Sequence, residues 1–466
     1  MNQLLRLVVI VQVLITNLFA AGSELGQLPL YSVLPFVGIL LSIAILPLVK
    51  YDFWHNNFGK ISAFWALLFL LPFWIIYGFE IALYELFHVL LLEYIPFIVL
   101  LLALFVISGG IRLKGSLVGS PKLNTIFLLI GTSIASLMGT TGAAMLLIRP
   151  LIRANKWRRK KVHIFVFFIF LVANIGGSLS PLGDPPLFLG FLKGVDFFWP
   201  TKYLFMPMFL VTVILLIIFY FLDSYYYNKE IINFTPKNDS NEQLGIEGAI
   251  NFTLMVGVIF FVLLSGIWKP GLDIYFINTH LELQNLIRDI SLLLLTYLSF
   301  KYTKPGVRTA NGFTWFPIQE VSKLFLGIFI TIIPAISILK AGTEGSLSFV
   351  VNSTQNLDGT HNSMMYFWLT GILSSFLDNA PTYLVFFNAA GGNAIELMTT
   401  YSNTLLAISC GAVFMGANTY IGNAPNFMVR SIAEENDIQM PSFFGYMLWS
   451  SLILIPIYIL ISILFF

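Results

Sequence analysis

The chain has 466 residues, of which 58% are hydrophobic and only 10% are charged, and its mean hydropathy is +0.86. This composition excludes a soluble domain and predicts an integral membrane protein. The net charge of +2 gives no sign of a nucleic-acid partner, and a single cysteine excludes a disulfide or a thiolate metal site.

Long apolar runs divide the chain into candidate membrane-spanning segments. Residues 1–22 predict either a cleavable signal peptide or a short first helix. Residues 80–93 carry three glutamates among apolar residues, which is typical of an amphipathic helix at the membrane surface. We expect an all-α polytopic membrane protein with about ten to eleven transmembrane helices. The predicted spans are 30–49, 61–79, 94–110, 162–192, 202–222, 249–267, 284–300, 321–339, 398–429 and 443–466.

Basic residues predict the orientation of the first half, because cytoplasmic loops are enriched in Lys and Arg. The densest basic cluster is 149–161, and Arg112, Lys114 and Lys122 form a second. Both clusters should be cytoplasmic, yet only the apolar segment 123–148 lies between them. A single crossing would leave one cluster outside. We therefore expect 123–148 to be a re-entrant hairpin with its tip inside the bilayer.

The second half continues in the opposite orientation. Residues 223–248 are predicted to form a cytoplasmic linker. Segment 362–397, with Asp378 near its middle, then becomes a second hairpin that enters from the outside. We therefore predict two inverted halves, 23–222 and 249–466, each with a re-entrant hairpin and a broken helix.

The broken helices are predicted by two motifs that share one pattern. Residues 180–186 read SPLGDPP and residues 419–425 read TYIGNAP, so a hydroxyl, an aliphatic residue, a glycine, an Asp or Asn and a proline recur. The motifs interrupt the apolar segments 162–192 and 398–429. Broken helices at matching places in two halves point to the binding site of a transporter.

The two hairpin tips give a weaker second correspondence. Aligned without a gap, Thr140 falls on Asp378, and the two tips resemble each other in small size and polarity rather than in identity. Each tip precedes a broken helix at nearly the same separation, which strengthens the prediction of a repeat.

The ends of a broken helix can bind ions, because they expose N–H and C=O groups that have no partner within the helix. Asp184 in the first break and Asp378 at the second tip could each bind either a cation or a proton. The alternative for Asp184 is an Asp that caps a half-helix, and the alternative for Asp378 is an Asp in a solvated loop. Other side chains of the breaks could be ion ligands or could satisfy freed backbone groups. They are Asn174, Ser178, Ser180, Asn418 and Asn423, beside the motif glycines Gly183 and Gly422.

Several motifs carry a resemblance to a known superfamily. They lie at residues 97–110, 139–150, 174–186, 377–382 and 416–426. At these positions the chain resembles the ion transporter superfamily that includes NhaD-type sodium/proton antiporters, arsenite carriers and citrate or dicarboxylate carriers. It is most similar to a bacterial branch labelled both sodium/proton antiporter and putative citrate transporter.

The resemblance implies a homodimer in a bacterial inner membrane, with a scaffold domain and a transport domain in each protomer. It implies ions bound between the hairpin tips and the broken helices. Carried over to this chain, one site involves Thr140, Thr141, Asn174, Ser178 and Asp184, and the other Asp378, Asn379, Thr382, Asn418, Thr419 and Asn423. The chain departs from the NhaD pattern at Pro185 and Pro186, where hydroxyl residues usually follow the Asp.

No phosphate-binding glycine loop is present, so we expect a secondary transporter without a cofactor. The tips and breaks hold two acids and no Lys or Arg, which favours a sodium or lithium/proton antiporter. The alternative is a citrate or dicarboxylate carrier coupled to sodium or protons, with half-helix N-termini binding the carboxylates. Arsenite transport and an intramembrane enzyme are further alternatives.

Overall fold

The computed structural model describes residues 28–115, 117–231, 243–277, 279–356 and 358–466. Almost all regular structure in these ranges is helical. The chain is therefore an all-α polytopic membrane protein, as its composition predicts. The predicted signal peptide or first helix, residues 1–22, lies outside the described residues.

The first set of helices extends from the 3-10 turn Leu30–Val33 to Ile231. The helices are α1 (Leu34–Val49), α2 (Tyr51–Tyr77), α3 (Phe79–Val89), α4 (Ile95–Gly109), α5 (Pro121–Met138), α6 (Thr140–Ala154), α7 (Val162–Leu171), α8 (Pro185–Leu192) and α9 (Trp199–Ile231). A π-helical turn, Leu90–Tyr94, joins α3 to α4. A 3-10 turn, Ile175–Leu179, lies between α7 and α8.

The second set follows after residue 249. The helices are α10 (Ile250–Ile267), α11 (Leu283–Tyr302), α12 (Pro305–Ala310), α13 (Phe316–Thr331), α14 (Ile333–Lys340), α15 (Ser348–Ser353), α16 (Ser363–Phe376), α17 (Asn379–Ala389), α18 (Ala394–Met398), α19 (Ser402–Met415), α20 (Ala424–Glu435) and α21 (Phe443–Phe465). Two further 3-10 turns are Gly342–Glu344 and Gly416–Asn418.

Four short strands form two antiparallel pairs outside the helical bundle. Strand β1 (Arg112–Lys114) pairs with β2 (Gly245–Glu247), so the end of the 223–248 segment contacts the loop after α4. Strands β3 (Asp273–Phe276) and β4 (Thr279–Glu282) form a hairpin before α11.

Eight of the described helical segments are long and apolar enough to cross a membrane. A ninth is obtained when α13 and α14, which are bent by 42° at their junction, count as one span. The number is smaller than the ten to eleven predicted. The predicted span 398–429 is divided into helices of 14 and 12 residues, and the predicted span 284–300 lies in the 20-residue helix α11, which is long enough but carries Arg288, Asp289 and Lys301.

Two predicted boundaries are wrong. Residues 80–93 do not form a separate surface helix, because Phe79–Gly109 is one span of 31 residues. Helix α9 continues to Ile231, so the first nine residues of the predicted linker 223–248 are helical. In both places charged residues that sequence assigns to the surface lie inside a long helix, and some of them are buried. Glu93 is 6% exposed and Asp223 is fully buried.

The segments around the motifs contain the helix interruptions that position the site. Helices α5 and α6 pack on each other and meet at Gly139, whose φ of +80° is readily adopted only by glycine. Helices α16 and α17 pack in the same way on either side of 377–378. Helices α7 and α8, and likewise α19 and α20, are separated by a 3-10 turn and an extended stretch that carries the motif.

Candidate functional site

Asp184 is the centre of a buried hydrogen-bond network. It has the extended conformation (φ −143°, ψ 143°) that a residue before proline favours, and Pro185 then starts α8. Its side chain does not cap α8. The carboxylate instead accepts hydrogen bonds from Thr140 Oγ1 (3.1 Å), Asn423 Nδ2 (2.9 Å) and Asn379 Nδ2 (2.5 Å). Because Asp184 is only 2% exposed, these donors replace the water that a carboxylate needs.

The donors to Asp184 come from three other helix beginnings. Thr140 is the first residue of α6, Asn379 is the first residue of α17, and Asn423 directly precedes α20. With α8, four helix N-termini therefore meet around one carboxylate. Each N-terminus carries a partial positive charge, roughly half an elementary charge, so their sum stabilises negative charge at this point.

A second layer of asparagines supports the first. Asn423 Nδ2 also lies 3.2 Å from Asn174 Oδ1, and Asn174 Nδ2 donates to Asn426 Oδ1 at 2.7 Å. Asn426 in turn donates to the carbonyls of Gly416 (2.8 Å) and Thr419 (2.9 Å). These bonds satisfy carbonyl groups that the interruption of α19 leaves without helical partners. Asn174 and Asn426 therefore tie the two interrupted helices together.

Three buried amide oxygens near this network have no hydrogen-bond partner among the described residues. They belong to Asn379, Asn418 and Asn423. In Asn379 and Asn423 the amide nitrogen faces the Asp184 carboxylate, so the oxygen must point away from it. The Asn418 nitrogen donates to Ser375 Oγ at 2.9 Å. Unpaired buried acceptors are costly, and a cation or a proton donor would satisfy them.

Asp378 caps a helix and faces the cavity, whereas the sequence offered the capping role for Asp184. Asp378 Oδ1 accepts a hydrogen bond of 3.1 Å from the Ala380 N–H, so it caps α17. It also lines the same cavity as Asp184. The Asp184 carboxylate is therefore enclosed by side-chain donors, whereas the Asp378 carboxylate faces the cavity and accepts one hydrogen bond from the backbone.

The cavity beside the two acids has a volume of about 90 Å³. This is several times the roughly 10–15 Å³ that one water-sized occupant requires. Its polar lining comes from Thr140, Thr141, Asp184, Asp378 and Asn423. Aromatic and aliphatic side chains form the rest of the wall, including Phe97, Leu104, Phe105, Phe188, Val321 and Phe325. Among the described lining residues there is no Lys, Arg or His.

The remaining hydroxyls of the predicted sites bond to the backbone. Ser180 Oγ donates to the Ser136 carbonyl, and Thr419 Oγ1 donates to the Ser375 carbonyl, in both cases across 44 residues. Ser178 donates to the Ile175 carbonyl and Thr382 to the Asp378 carbonyl. These four hydroxyls hold the breaks and tips in shape and do not line the cavity.

The two motif glycines also have matching environments. A Cβ on Gly183 would collide with the Gly177 carbonyl group, and a Cβ on Gly422 would lie 2.6 Å from the Gly416 carbonyl oxygen. Each glycine therefore lets the extended motif pass close to the 3-10 turn that precedes it. Glycine is the only residue that fits at either place.

The structural equivalence of the hairpin tips differs by one residue from the ungapped sequence alignment. Thr140 and Asn379 each start a helix, each donates to Asp184, and each lies 44 residues before the Asp or Asn of its motif. Thr140 therefore corresponds to Asn379 and not to Asp378. Side-chain similarity could not reveal this register, because Thr and Asn share hydrogen-bonding ability but neither shape nor functional group.

Sequence reasoning missed a buried ionic cluster and overlooked Asn426. Arg158 pairs with Asp223 and Glu230, and His163 Nε2 lies 2.8 Å from Asp223 Oδ1. The available signal was an Asp inside an apolar segment, which in a membrane protein requires a partner. For Asn426 the signal was its position directly after the second motif.

The sequence model of a family described as "putative citrate transport" matches residues 25–466, nearly the whole chain. No curated protein matches the chain.

Proposed function

The chain belongs to the family described as "putative citrate transport", and we propose from this premise that it is a secondary transporter that exchanges sodium or lithium for protons. The observation that carries the proposal is that Asp184 and Asp378 line one cavity without a basic side chain beside them. Such a cavity attracts a small cation. Sequence alone favours the same exchange.

The ligands of the cation would be oxygen atoms, as alkali cations prefer. Asp378 offers a carboxylate that faces the cavity, and Asn379 and Asn423 offer unpaired amide oxygens. Asp184 also lines the cavity, and it contributes mainly its charge, because both of its oxygens already accept hydrogen bonds. We propose that the cation binds in the cavity beside Asp184, Asp378 and Asn423, with Asn379 outside the cavity lining.

Competition between a cation and a proton would couple the two fluxes. A proton on Asp184 or Asp378 removes the negative charge that holds the cation. Protonated Asp184 would become a hydrogen-bond donor, and rotation of the Asn379 amide by half a turn would present its oxygen as the acceptor. The same side chains can thus stabilise either the charged or the neutral acid.

The two repeated motifs indicate how the site would become accessible from each side of the membrane in turn. The two motifs, with matching hydrogen bonds across 44 residues, would belong to two inverted halves joined by residues 223–248. We propose that the interrupted helices and the tips move as one unit within each protomer of a homodimer in the bacterial inner membrane. Alternating access then exposes the same cavity to either side.

The test is dye-reported proton movement in proteoliposomes after addition of sodium, lithium, potassium or citrate. The proposal requires that sodium or lithium dissipate an imposed pH gradient with the wild-type protein. It also requires that Asp184→Asn and Asp378→Asn fail to do so. A gradient that none of the inorganic cations changes would refute cation/proton exchange.

A citrate or dicarboxylate carrier is the second candidate, and two observations favour it. The family description names citrate, and four helix N-termini meet beside the cavity. Half-helix N-termini bind substrate carboxylates in other transporters, and sodium or protons would offset the remaining charge. Citrate-dependent sodium or proton movement in the same liposomes would establish this candidate.

A further inference from the structure

Arg288 is a buried cation whose hydrogen bonds leave one nitrogen free. It lies in α11 and is 1% exposed. Its Nε pairs with Asp289 Oδ1 at 2.7 Å, and its Nη1 donates to Asn285 Oδ1 at 3.0 Å. Its Nη2 has no partner among the described residues. A guanidinium that is buried in a membrane protein with an unused donor is a candidate functional group.

The guanidinium contacts the wall of the substrate cavity. Its central carbon lies 5.9 Å from the centroid of the Phe188 ring. Phe188 lines the cavity and follows Asp184 by four residues on α8. One aromatic ring therefore borders the cavity and lies beside Arg288.

The helix that carries Arg288 has a polar buried face and an apolar exposed face. Its buried face includes the polar residues Gln284, Thr296 and Ser299, whereas its exposed face carries Ile290 and Tyr297. Exposed apolar side chains suit lipid. A polar face that is turned towards the protein interior is typical of transmembrane helices that border a transport route.

We propose that Arg288 recognises a carboxylate group of the transported solute through its free Nη2, with Phe188 acting as a movable partition between the guanidinium and the cavity. The inference rests on the carboxylate candidate of the proposed function and supplies the basic group that the cavity lining lacks. Arg is suited to this role because its planar fork binds carboxylates in a fixed geometry. Asp289 compensates the charge of Arg288 when no substrate is bound.

The alternative role of Arg288 is structural, and the two roles give opposite signs for one substitution. If Arg288 only packs on Phe188 and pairs with Asp289, removing either charge disturbs the same contact. If Arg288 binds substrate, Asp289→Asn removes the competing carboxylate and strengthens substrate binding. Arg288→Gln removes the donor and weakens it.

The experiment measures citrate uptake and its KM in proteoliposomes for wild type, Arg288→Gln, Arg288→Lys and Asp289→Asn. We expect Arg288→Gln to raise the KM about tenfold or more, because a charge-assisted hydrogen bond is lost. We expect Asp289→Asn to lower it about threefold, and Arg288→Lys to give an intermediate increase, because charge remains without the fork. Arg112→Gln, which removes an ion pair with Glu247 on β2, is the control and should leave the KM unchanged.

Three outcomes would overturn the proposal. They are unchanged KM values in Arg288→Gln and Asp289→Asn, a shift of both in the same direction, and a wild-type protein that neither transports nor binds citrate, malate or succinate. In the third case the protein can still show sodium-dependent proton movement. Failure of carboxylate recognition by Arg288 is therefore distinguishable from failure of sodium/proton exchange. If Arg288→Gln does not fold, Arg288→Lys and Asp289→Asn decide the result.

Discussion

Asn379 Nδ2 donates a hydrogen bond of 2.5 Å to Asp184 Oδ2, although 195 residues separate the two in sequence. The bond joins the start of α17 to the interruption between α7 and α8. Asn423 adds a second bond to the same carboxylate from the other interrupted helix. The Asp184 carboxylate, which lies in the first half of the sequence, is therefore hydrogen-bonded to two residues of the second half. A change in its charge would change both hydrogen bonds.

The first prediction concerns Asp184→Asn. The substitution removes the negative charge and replaces one carboxylate oxygen by an amide nitrogen. This nitrogen then faces the nitrogen of either Asn379, which donates to Oδ2, or Asn423, which donates to Oδ1, so two donors meet. We expect complete loss of sodium-dependent proton movement and a loss of stability of about 1–3 kcal/mol. Proton flux in proteoliposomes and thermal unfolding in detergent measure the two effects.

The matched control for Asp184→Asn is Asp196→Asn. Asp196 is exposed and follows α8 closely, so the control makes the same chemical change outside the cavity. Its flux and its unfolding temperature should equal those of the wild type. Retained exchange in Asp184→Asn would remove this residue from the mechanism.

The second prediction separates the two roles of Asp378. Asparagine keeps the cap on α17 but removes the charge, whereas alanine removes both. Asp378→Asn should unfold like the wild type and lose sodium-dependent flux. Asp378→Ala should lose flux and also about 1 kcal/mol of stability. Asn362→Ala, which removes the side-chain cap of α16, should lose stability with flux retained.

The third prediction concerns the buried pair of Arg158 and Asp223, whose side chains are fully buried. Arg158→Met leaves the carboxylates of Asp223 and Glu230 without their cation and should cost about 3–5 kcal/mol. Arg158→Met combined with Asp223→Asn should cost less than Arg158→Met alone. In contrast, Arg112→Gln breaks a partly exposed pair and should cost less than about 1 kcal/mol. Equal costs for Arg158→Met and Arg112→Gln would contradict the assigned burial.

The local features of the site could be predicted from the sequence because they have local causes. A cluster of proline, glycine and Asp or Asn within an apolar segment predicts an interrupted helix, so Asp184 and both motifs could be identified. Single prolines do not have this effect here, because Pro72, Pro207 and Pro456 lie inside continuous helices. The convergence of Asn379 and Asn423 on Asp184 could not be predicted. It depends on how distant helices pack, and no short-range pattern records this.

Glu93 shows why the surface helix was predicted wrongly. Several glutamates in an otherwise apolar segment usually indicate a solvated surface, and the sequence nearby holds no Lys or Arg to pair with them. The partner is Lys193, 100 residues later, which forms an ion pair with Glu93 at the end of α8. A charge that is neutralised across the bundle is indistinguishable in the sequence from a charge that faces water.

The fourth prediction tests orientation. Cys410 is fully buried, so the native chain should not react with an impermeant thiol reagent. Gln243→Cys, in the predicted cytoplasmic linker, should remain unlabelled in intact cells and become labelled after permeabilisation. Lys269→Cys, in the loop after α10, should be labelled in both. The reverse pattern would invert the orientation of both halves.

The fifth prediction concerns the motif glycines. A methyl group on Gly183 or Gly422 would meet backbone atoms of Gly177 or Gly416, and backbone cannot move aside as a flexible side chain can. Gly183→Ala and Gly422→Ala should therefore each cost about 1–3 kcal/mol. The same methyl group at Gly306 in α12 has nothing within 4 Å, so Gly306→Ala should be neutral or slightly stabilising. Because both motif glycines hold the irregular segments that present Asp184 and Asn423, the two variants should also lose flux at temperatures where they remain folded. Full flux in either variant would show that the close approach is not required for the site.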